Sequence, residues 1–191
     1  MRKIRTAVLI SGRGSNMAAL AKAAQDPDYP AEIALVISNV PDTPGLRKAK
    51  ELGVTAISID HKAFLSRRQF ETALDTALRE ADIDLVCCAG FMRVLTPWFV
   101  TRWENRLLNI HPSLLPKYKG LNTHQRALDA GDTEAGVTVH QVTAALDDGL
   151  ILGQARVPVL ADDTAQTLAA RVLIEEHKLY PAVLRDFVKT Q

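Results

Sequence analysis

The chain has few of the residues that mark disulfide-rich, nucleic-acid-binding or metal-binding proteins. Its 191 residues include two cysteines, aromatic residues make up 5%, and the formal net charge is +1. The cysteines, Cys87 and Cys88, are adjacent, so they neither pair readily nor give the C-x-x-C spacing of a metal site. A charge this close to zero provides no attraction to nucleic acid or to a membrane surface. We therefore expect a cytoplasmic protein with no nucleic-acid or membrane partner.

Long hydrophobic runs are also missing. No apolar stretch approaches the length of a membrane span, and the basic start of the chain reaches Ser11-Gly12 too early for a signal peptide. Hydrophobic residues nevertheless make up 47% of the chain. This composition and length suit one domain with a full core.

Short apolar runs alternate with helical patterns through the first hundred residues. Predicted strands lie at 7–11, 33–38, 54–60 and 85–89. Their nearly continuous apolar character is typical of strands buried on both faces of a parallel sheet. Thr43-Pro44 and Thr96-Pro97 indicate helix starts. Right-handed βαβ units therefore predict an α/β fold with a Rossmann-like doubly wound sheet, its first four strands in the order 3-2-1-4.

The pattern changes after Asn109. Residues 136–142 alternate between apolar and polar side chains, and 151–159 form another β-like run. Their short connection predicts an antiparallel C-terminal addition to the sheet. Asp163-Thr164 then begins a long helix containing Pro181, a residue that favours a kink.

A glycine-rich loop, Ser11-Gly12-Arg13-Gly14-Ser15-Asn16, follows the first predicted strand. Its glycines let backbone N–H groups approach an anion, and the helix that follows adds a partial positive charge. A dinucleotide fingerprint would need a third glycine and an acid after the second strand, and a Walker loop would need Gly-Lys-Ser/Thr. Because these are missing, one phosphate group fits better. A plain tight turn capped by Ser15 or Asn16 is the alternative.

Strands 1 and 4 of such a sheet are neighbours, and the crevice between their carboxyl ends is the expected ligand site. The loop after strand 4, residues 90–95, reads Gly-Phe-Met-Arg-Val-Leu. This segment is unusually apolar for a surface loop, which suits a flat organic ligand. It also suits a loop packed under the following helix.

Asn109 and His111 lie two residues apart at the end of an apolar run, so a strand would point both side chains the same way. An imidazole transfers protons and an amide N–H stabilises an oxyanion, which together suit acyl transfer. Asp147 offers a carboxylate that would orient His111 and favour its charged form. Taken singly, His111 also fits a buried core histidine, and Asp147 an ordinary turn.

Together these segments closely resemble the formyltransferase family that uses 10-formyltetrahydrofolate. The resemblance spans nearly the whole chain and includes Ser11-Gly12-x-Gly14-Ser15-Asn16, Gly90-Phe91-Met92-Arg93, Asn109-Ile110-His111-Pro112-Ser113, Leu146-Asp147-x-Gly149 and Glu176-His177-x-x-x-Pro181. It implies one formyltransferase domain over 1–191, with the phosphate loop in 1–108 and the catalytic half in 109–191. The family's tRNA formyltransferases and deformylases carry an extra domain, for which we expect no room. The branch that acts on a sugar monophosphate in purine biosynthesis fits best.

The resemblance also implies roles for individual residues. Asn109, His111 and Asp147 match the catalytic residues, and the amine substrate would attack the formyl carbon directly. The implied co-substrate is 10-formyltetrahydrofolate, without a metal. The folate site would comprise Arg67, Met92, Arg93, Val94, Leu95 and Asn109.

The substrate site is implied in the same way. Its phosphate would bind Gly14, Ser15 and Asn16, and Glu176 would lie near the ribose. Leu173 stands where relatives often have a polar or basic side chain, and Arg13 is a candidate replacement. The resemblance also suggests a cis bond at Leu115-Pro116.

Other functions share parts of this pattern. A nucleotide-dependent dehydrogenase would use the same sheet, but the missing glycine and acid disfavour it. A non-catalytic module that binds folate or a phosphosugar is disfavoured by Asn109, His111 and Asp147 together. Within the family, another folate formyltransferase or a deformylase is the alternative.

Overall fold

A seven-stranded sheet runs through the centre of residues 2–190, the part of the chain that the computed structural model describes. The strand order is β3-β2-β1-β4-β5-β6-β7. The strands are β1 (Ile4–Ile10), β2 (Ala31–Ser38), β3 (Thr55–Ser58), β4 (Leu85–Cys88), β5 (Leu107–His111), β6 (Glu134–Gln141) and β7 (Ile151–Pro158). Strands β1 to β5 pair in parallel, whereas β6 pairs antiparallel with both β5 and β7. The predicted fold class, the order 3-2-1-4 and the antiparallel addition are confirmed.

The α-helices of the described chain are α1 (Ser15–Ala23), α2 (Pro44–Glu51), α3 (Arg67–Glu80), α4 (Pro97–Arg102), α5 (Thr123–Asp129) and α6 (Ala165–Lys189). As predicted, α2 and α4 begin with proline directly after a threonine. Helix α6 begins after Thr164, which forms a capping box with Thr167. It continues as a helix through Pro181. The Leu115-Pro116 bond is cis.

Two hydrophobic clusters cover the faces of the sheet, because alternate strand residues point to opposite sides. Val8 and Ile10 of β1 pack in one cluster with residues of α1 and α6. Ala7 and Leu9 pack in the other, with residues of α3 and α4. Strand β1 is therefore buried on both faces, as its apolar run predicted.

This topology brings three loops to one edge of the sheet. Loop one follows β1, loop four (90–95) follows β4, and β5 ends at His111 beside them. Loops one and four are in contact, since the Met92 N–H donates to Ser11 Oγ at 2.7 Å. The predicted division into a phosphate-loop half (1–108) and a catalytic half (109–191) falls inside strand β5. This division therefore stays a prediction. Within residues 2–190, no helix combines the length and apolar character needed to cross a membrane.

Candidate active site

Asn109 is held by a histidine on the neighbouring strand. In the antiparallel β5–β6 register Asn109 lies opposite His140, and Asn109 Nδ2 is 3.2 Å from His140 Nε2. His140 Nδ1 lies 2.9 Å from the Gln141 carbonyl oxygen. A carbonyl only accepts, so Nδ1 carries the hydrogen and Nε2 accepts from the Asn109 amide. Burial and the nearby His111 lower the pKa of His140, which favours this neutral form.

His111 has a polar partner beside each ring nitrogen. Its Nε2 is 2.9 Å from the Tyr118 carbonyl oxygen, and its Nδ1 is 3.5 Å from Asp147 Oδ2. Because the Tyr118 carbonyl accepts, Nε2 donates, and Nδ1 is the atom free to gain or lose a proton. The His111 and Asp147 side chains are each 8% exposed, so their interaction is weakly screened by water. The geometry fits a proton-transferring imidazole beside its counter-charge.

The backbone around Asp147 directs its carboxylate inward. Asp147 has φ 48°, a left-handed conformation that aspartate tolerates better than most residues. Its Oδ2 accepts the Gly120 N–H at 2.9 Å, and its Oδ1 lies 3.8 Å from His140 Nε2. The next carboxylate, Asp148, instead pairs with Lys119 at the surface. The structure thus brings Asn109, His111 and Asp147 together around His140.

The glycine-rich loop presents backbone donors. Gly14 precedes α1 with φ 67°, and a Cβ there would lie 2.7 Å from Gly45 Cα, so the position requires glycine. The first intrahelical bond runs from the Ala18 N–H to the Gly14 carbonyl. The N–H groups of Ser15 and Asn16 precede it and have no intrahelical partner. No side chain caps α1, so the alternative of a turn capped by Ser15 or Asn16 is wrong, and the donors are available to an anion.

Asn16 joins loop one to α6. Its Nδ2 donates to Glu176 Oε2 at 2.6 Å, and both residues are buried. Burial raises the pKa of Glu176, although the Asn16 hydrogen bond and His111 oppose the rise. Since one amide hydrogen of Asn16 is committed to Glu176, Ser15 and the backbone N–H groups are the more accessible donors of the loop.

Two lysines lie in a groove beside this loop. An open groove of about 670 Å³ beside Ser15 is lined in part by Lys22, Lys48 and His177. Burial and the charges of the two lysines lower the pKa of His177. Lys48 Nζ also donates to the Arg13 carbonyl at 3.2 Å. The two lysines favour an anion at the start of α1.

Loop four exposes apolar side chains. Met92 is 68% and Val94 55% exposed, whereas Leu95 is buried in the core. Packing under the following helix therefore describes Leu95 and not Met92 or Val94. Leu146, next to Asp147, is also exposed. Exposed apolar side chains close to a polar site are typical of a ligand-binding surface.

Some site groups had weak signals in the sequence. The sequence gives His140 no role of its own, because its place opposite Asn109 depends on strand register. The carbonyl of Tyr118 and the N–H of Gly120 are backbone groups, which residue identity does not reveal. Among residues 2–190, no cluster of three or more His, Cys, Asp or Glu side chains is placed to hold a metal ion.

The lowered pKa of His140 predicts that the folded protein is less stable in acid. The pKa of His140 is lowered by burial from its ordinary value of 6.5, so the unfolded chain takes up this proton before the folded chain does. Stability should fall as pH drops below about 6.5, by at most about 1.4 kcal/mol per pH unit from this group. Urea unfolding of the wild type and His140→Gln at about pH 7.5 and about pH 5.5 measures the effect. Equal pH dependence in both proteins would contradict it.

Comparison with known proteins places the chain in a family. Residues 4–184 match the formyl transferase family, and the chain belongs to it. It is 48% identical over 184 residues to the human trifunctional purine biosynthetic protein adenosine-3, covering 96% of this chain but 18% of that protein. It is 43% identical to the phosphoribosylglycinamide formyltransferase of Haemophilus influenzae, covering 99% of this chain and 88% of that protein. The solved phosphoribosylglycinamide formyltransferase of Brucella melitensis superimposes with a TM-score of 0.94 at 51% identity, covering 98% and 96% of the two chains.

Proposed function

We propose that this chain transfers the formyl group of 10-formyltetrahydrofolate to the primary amine of 5-phosphoribosylglycinamide, in de novo purine biosynthesis. One observation carries the proposal: the amide of Asn109 and the ring of His111 lie beside Asp147, at the sheet edge that holds the phosphate loop. The similarity to phosphoribosylglycinamide formyltransferases supports the same substrates. The buried, unpaired Cys87 and Cys88 support a cytoplasmic setting.

Asn109 is suited to stabilise the oxyanion. When the amine attacks the formyl carbon, negative charge develops on the formyl oxygen of a tetrahedral intermediate. One hydrogen of the Asn109 amide is bonded to His140, which fixes the plane of the amide. The second hydrogen then points in a set direction and donates to the oxyanion.

His111 and Asp147 are suited to proton transfer. Protonated His111 adds positive charge near the oxyanion, and its Nδ1–H is the proton passed toward the folate nitrogen that leaves. Asp147 stabilises the charged ring at 3.5 Å and takes part, through an ordered water, in removing the proton that the amine loses. Direct transfer needs no covalent intermediate on the protein.

The two substrates occupy opposite sides of this centre. The phosphate of the amine substrate binds the N–H groups and hydroxyl at Ser15, and Glu176 lies near the ribose. The folate ring packs on the exposed apolar side chains of loop four. Arg67, an exposed cation at the start of α3, pairs with the folate tail.

A transfer assay tests this function. Purified protein is incubated with both substrates, and the formylated amine is followed by mass spectrometry. We expect product that depends on the protein and on both substrates. Formate release without the amine would indicate a deformylase, and no loss of the formyl group would indicate a non-catalytic binding protein.

The phosphate loop should affect the affinity for one substrate only. Ser15→Ala removes a hydroxyl beside the proposed phosphate, and we expect KM for the amine substrate to rise about fivefold, the effect of about one hydrogen bond. KM for the folate should stay unchanged, because loop four lies on the other side of the crevice. Thr164→Ala, which removes a hydroxyl from the start of α6, is the matched control. A rise confined to the folate KM would reverse the assignment of the two loops.

A further inference from the structure

Two arginines lie over one tryptophan on the surface formed by α3 and α4. The guanidinium carbon of Arg68 is 3.7 Å from the centre of the Trp98 ring, and that of Arg102 is 4.9 Å from it. We call Arg68, Trp98 and Arg102 the arginine–tryptophan cluster. A guanidinium that rests on an aromatic ring is held in place and keeps N–H groups at its edge for an anion. Carboxylates fit this edge in a bidentate manner.

The charges of this surface are incompletely paired. Asp75 accepts hydrogen bonds from Arg79 at 2.9 Å and from Arg102 and Trp103 at 3.0 Å. Burial alone would raise the pKa of Asp75, but these bonds outweigh burial and lower it, so one carboxylate serves two arginines. Arg68 forms no ion pair with any carboxylate of residues 2–190. The surface therefore carries surplus positive charge at the arginine–tryptophan cluster.

The cluster borders the proposed folate site. Helix α4 begins at Pro97, two residues after loop four, and Trp98 packs in the same hydrophobic cluster as Phe91 and Leu95. Arg67, which we assign to the folate tail, immediately precedes Arg68 in α3. A tail that starts at Arg67 and continues along this surface would therefore meet the cluster next.

We propose that the arginine–tryptophan cluster binds the additional carboxylates of folates whose tail carries more than one γ-linked glutamate. A tail with a single glutamate places its carboxylates at Arg67, before the cluster. Arg68 and Arg102 lie over the Trp98 ring and pair with the carboxylates of the glutamates that follow. The proposal rests on the proposed function, because a folate must occupy loop four for its tail to reach Trp98.

Equilibrium binding of folic acid, in its monoglutamyl and pentaglutamyl forms, tests the cluster without any turnover. The chain has two tryptophans, and Trp103 is 1% exposed, so a fluorescence change on binding reports mainly on Trp98. We expect the pentaglutamyl form to bind about tenfold more tightly, since each exposed charge pair contributes a factor of about two to five. The advantage should shrink as salt rises.

Variants then locate the effect. Arg68→Gln and Arg102→Gln should each reduce the ratio of the two Kd values about two- to fivefold. Arg79→Gln is the matched control: it breaks a comparable bond to Asp75, but its ring partner is Trp103, so the ratio should match the wild type. Equal Kd values for the two forms, unchanged ratios in Arg68→Gln and Arg102→Gln, or no binding of either form would overturn the proposal. The transfer assay judges the proposed function separately.

Discussion

Replacing His111 with alanine is expected to reduce turnover about 10²–10³-fold, a loss typical for a group that acts on charge in the transition state. The fold should survive, because the substitution leaves one backbone acceptor, the Tyr118 carbonyl, without its donor at a cost of about 1–3 kcal/mol. Single-turnover rates at saturating substrates measure the chemical step, and circular dichroism measures the fold.

Added imidazole provides the control for His111→Ala. A small imidazole that enters the vacated space should restore part of the rate, because it supplies a proton donor near Asp147. Asn109→Ala should lose a similar factor without being restored, since its amide acts by donating to the oxyanion. Turnover within a few fold of the wild type in His111→Ala would remove the histidine from the mechanism.

Asp147→Asn is expected to have the second large effect, a loss of about 10²-fold in turnover. Direct transfer requires an uncharged amine and a charged imidazole at the same pH, two conditions that favour opposite pH ranges. The Asp147 carboxylate, 3.5 Å from His111 Nδ1, supplies the counter-charge for the imidazole during transfer. Without it, the single-turnover rate should fall at every pH at which the wild type is active.

Asp148→Asn is the matched control for this substitution. It removes the same charge one residue away, but Asp148 pairs with Lys119 at the surface, so turnover should stay within about twofold of the wild type. Asp147 has two proposed roles, the counter-charge for His111 and the ordering of a water. Equal effects of the two substitutions would contradict both roles.

The sequence predicted the parts of this protein that depend on local pattern. The apolar run of β1 predicted burial on both faces, and the alternation over residues 136–142 predicted the antiparallel addition. Thr43-Pro44 and Thr96-Pro97 located two helix starts. In each case residues a few positions apart determine the outcome, through backbone preference or side-chain direction.

Contacts between distant segments were beyond this kind of prediction. The Asn16–Glu176 hydrogen bond joins residues 160 positions apart, and it redirects a side chain that the sequence suggested for an anion. His140 reaches Asn109 only because β6 pairs with β5 in one particular register, which a shift of one residue would reverse. The proposed roles of the site residues stay predictions until variants are measured.

The fate of an isotope-labelled formyl group tests the central claim most directly. Protein in excess is mixed with 10-formyltetrahydrofolate labelled at the formyl carbon and with 5-phosphoribosylglycinamide, and the reaction is stopped within one turnover. The account predicts that the label appears on the amine of the substrate, with none attached to the protein and none released as formate. Label on the protein, or in formate while the amine stays unmodified, would contradict direct formyl transfer by this chain.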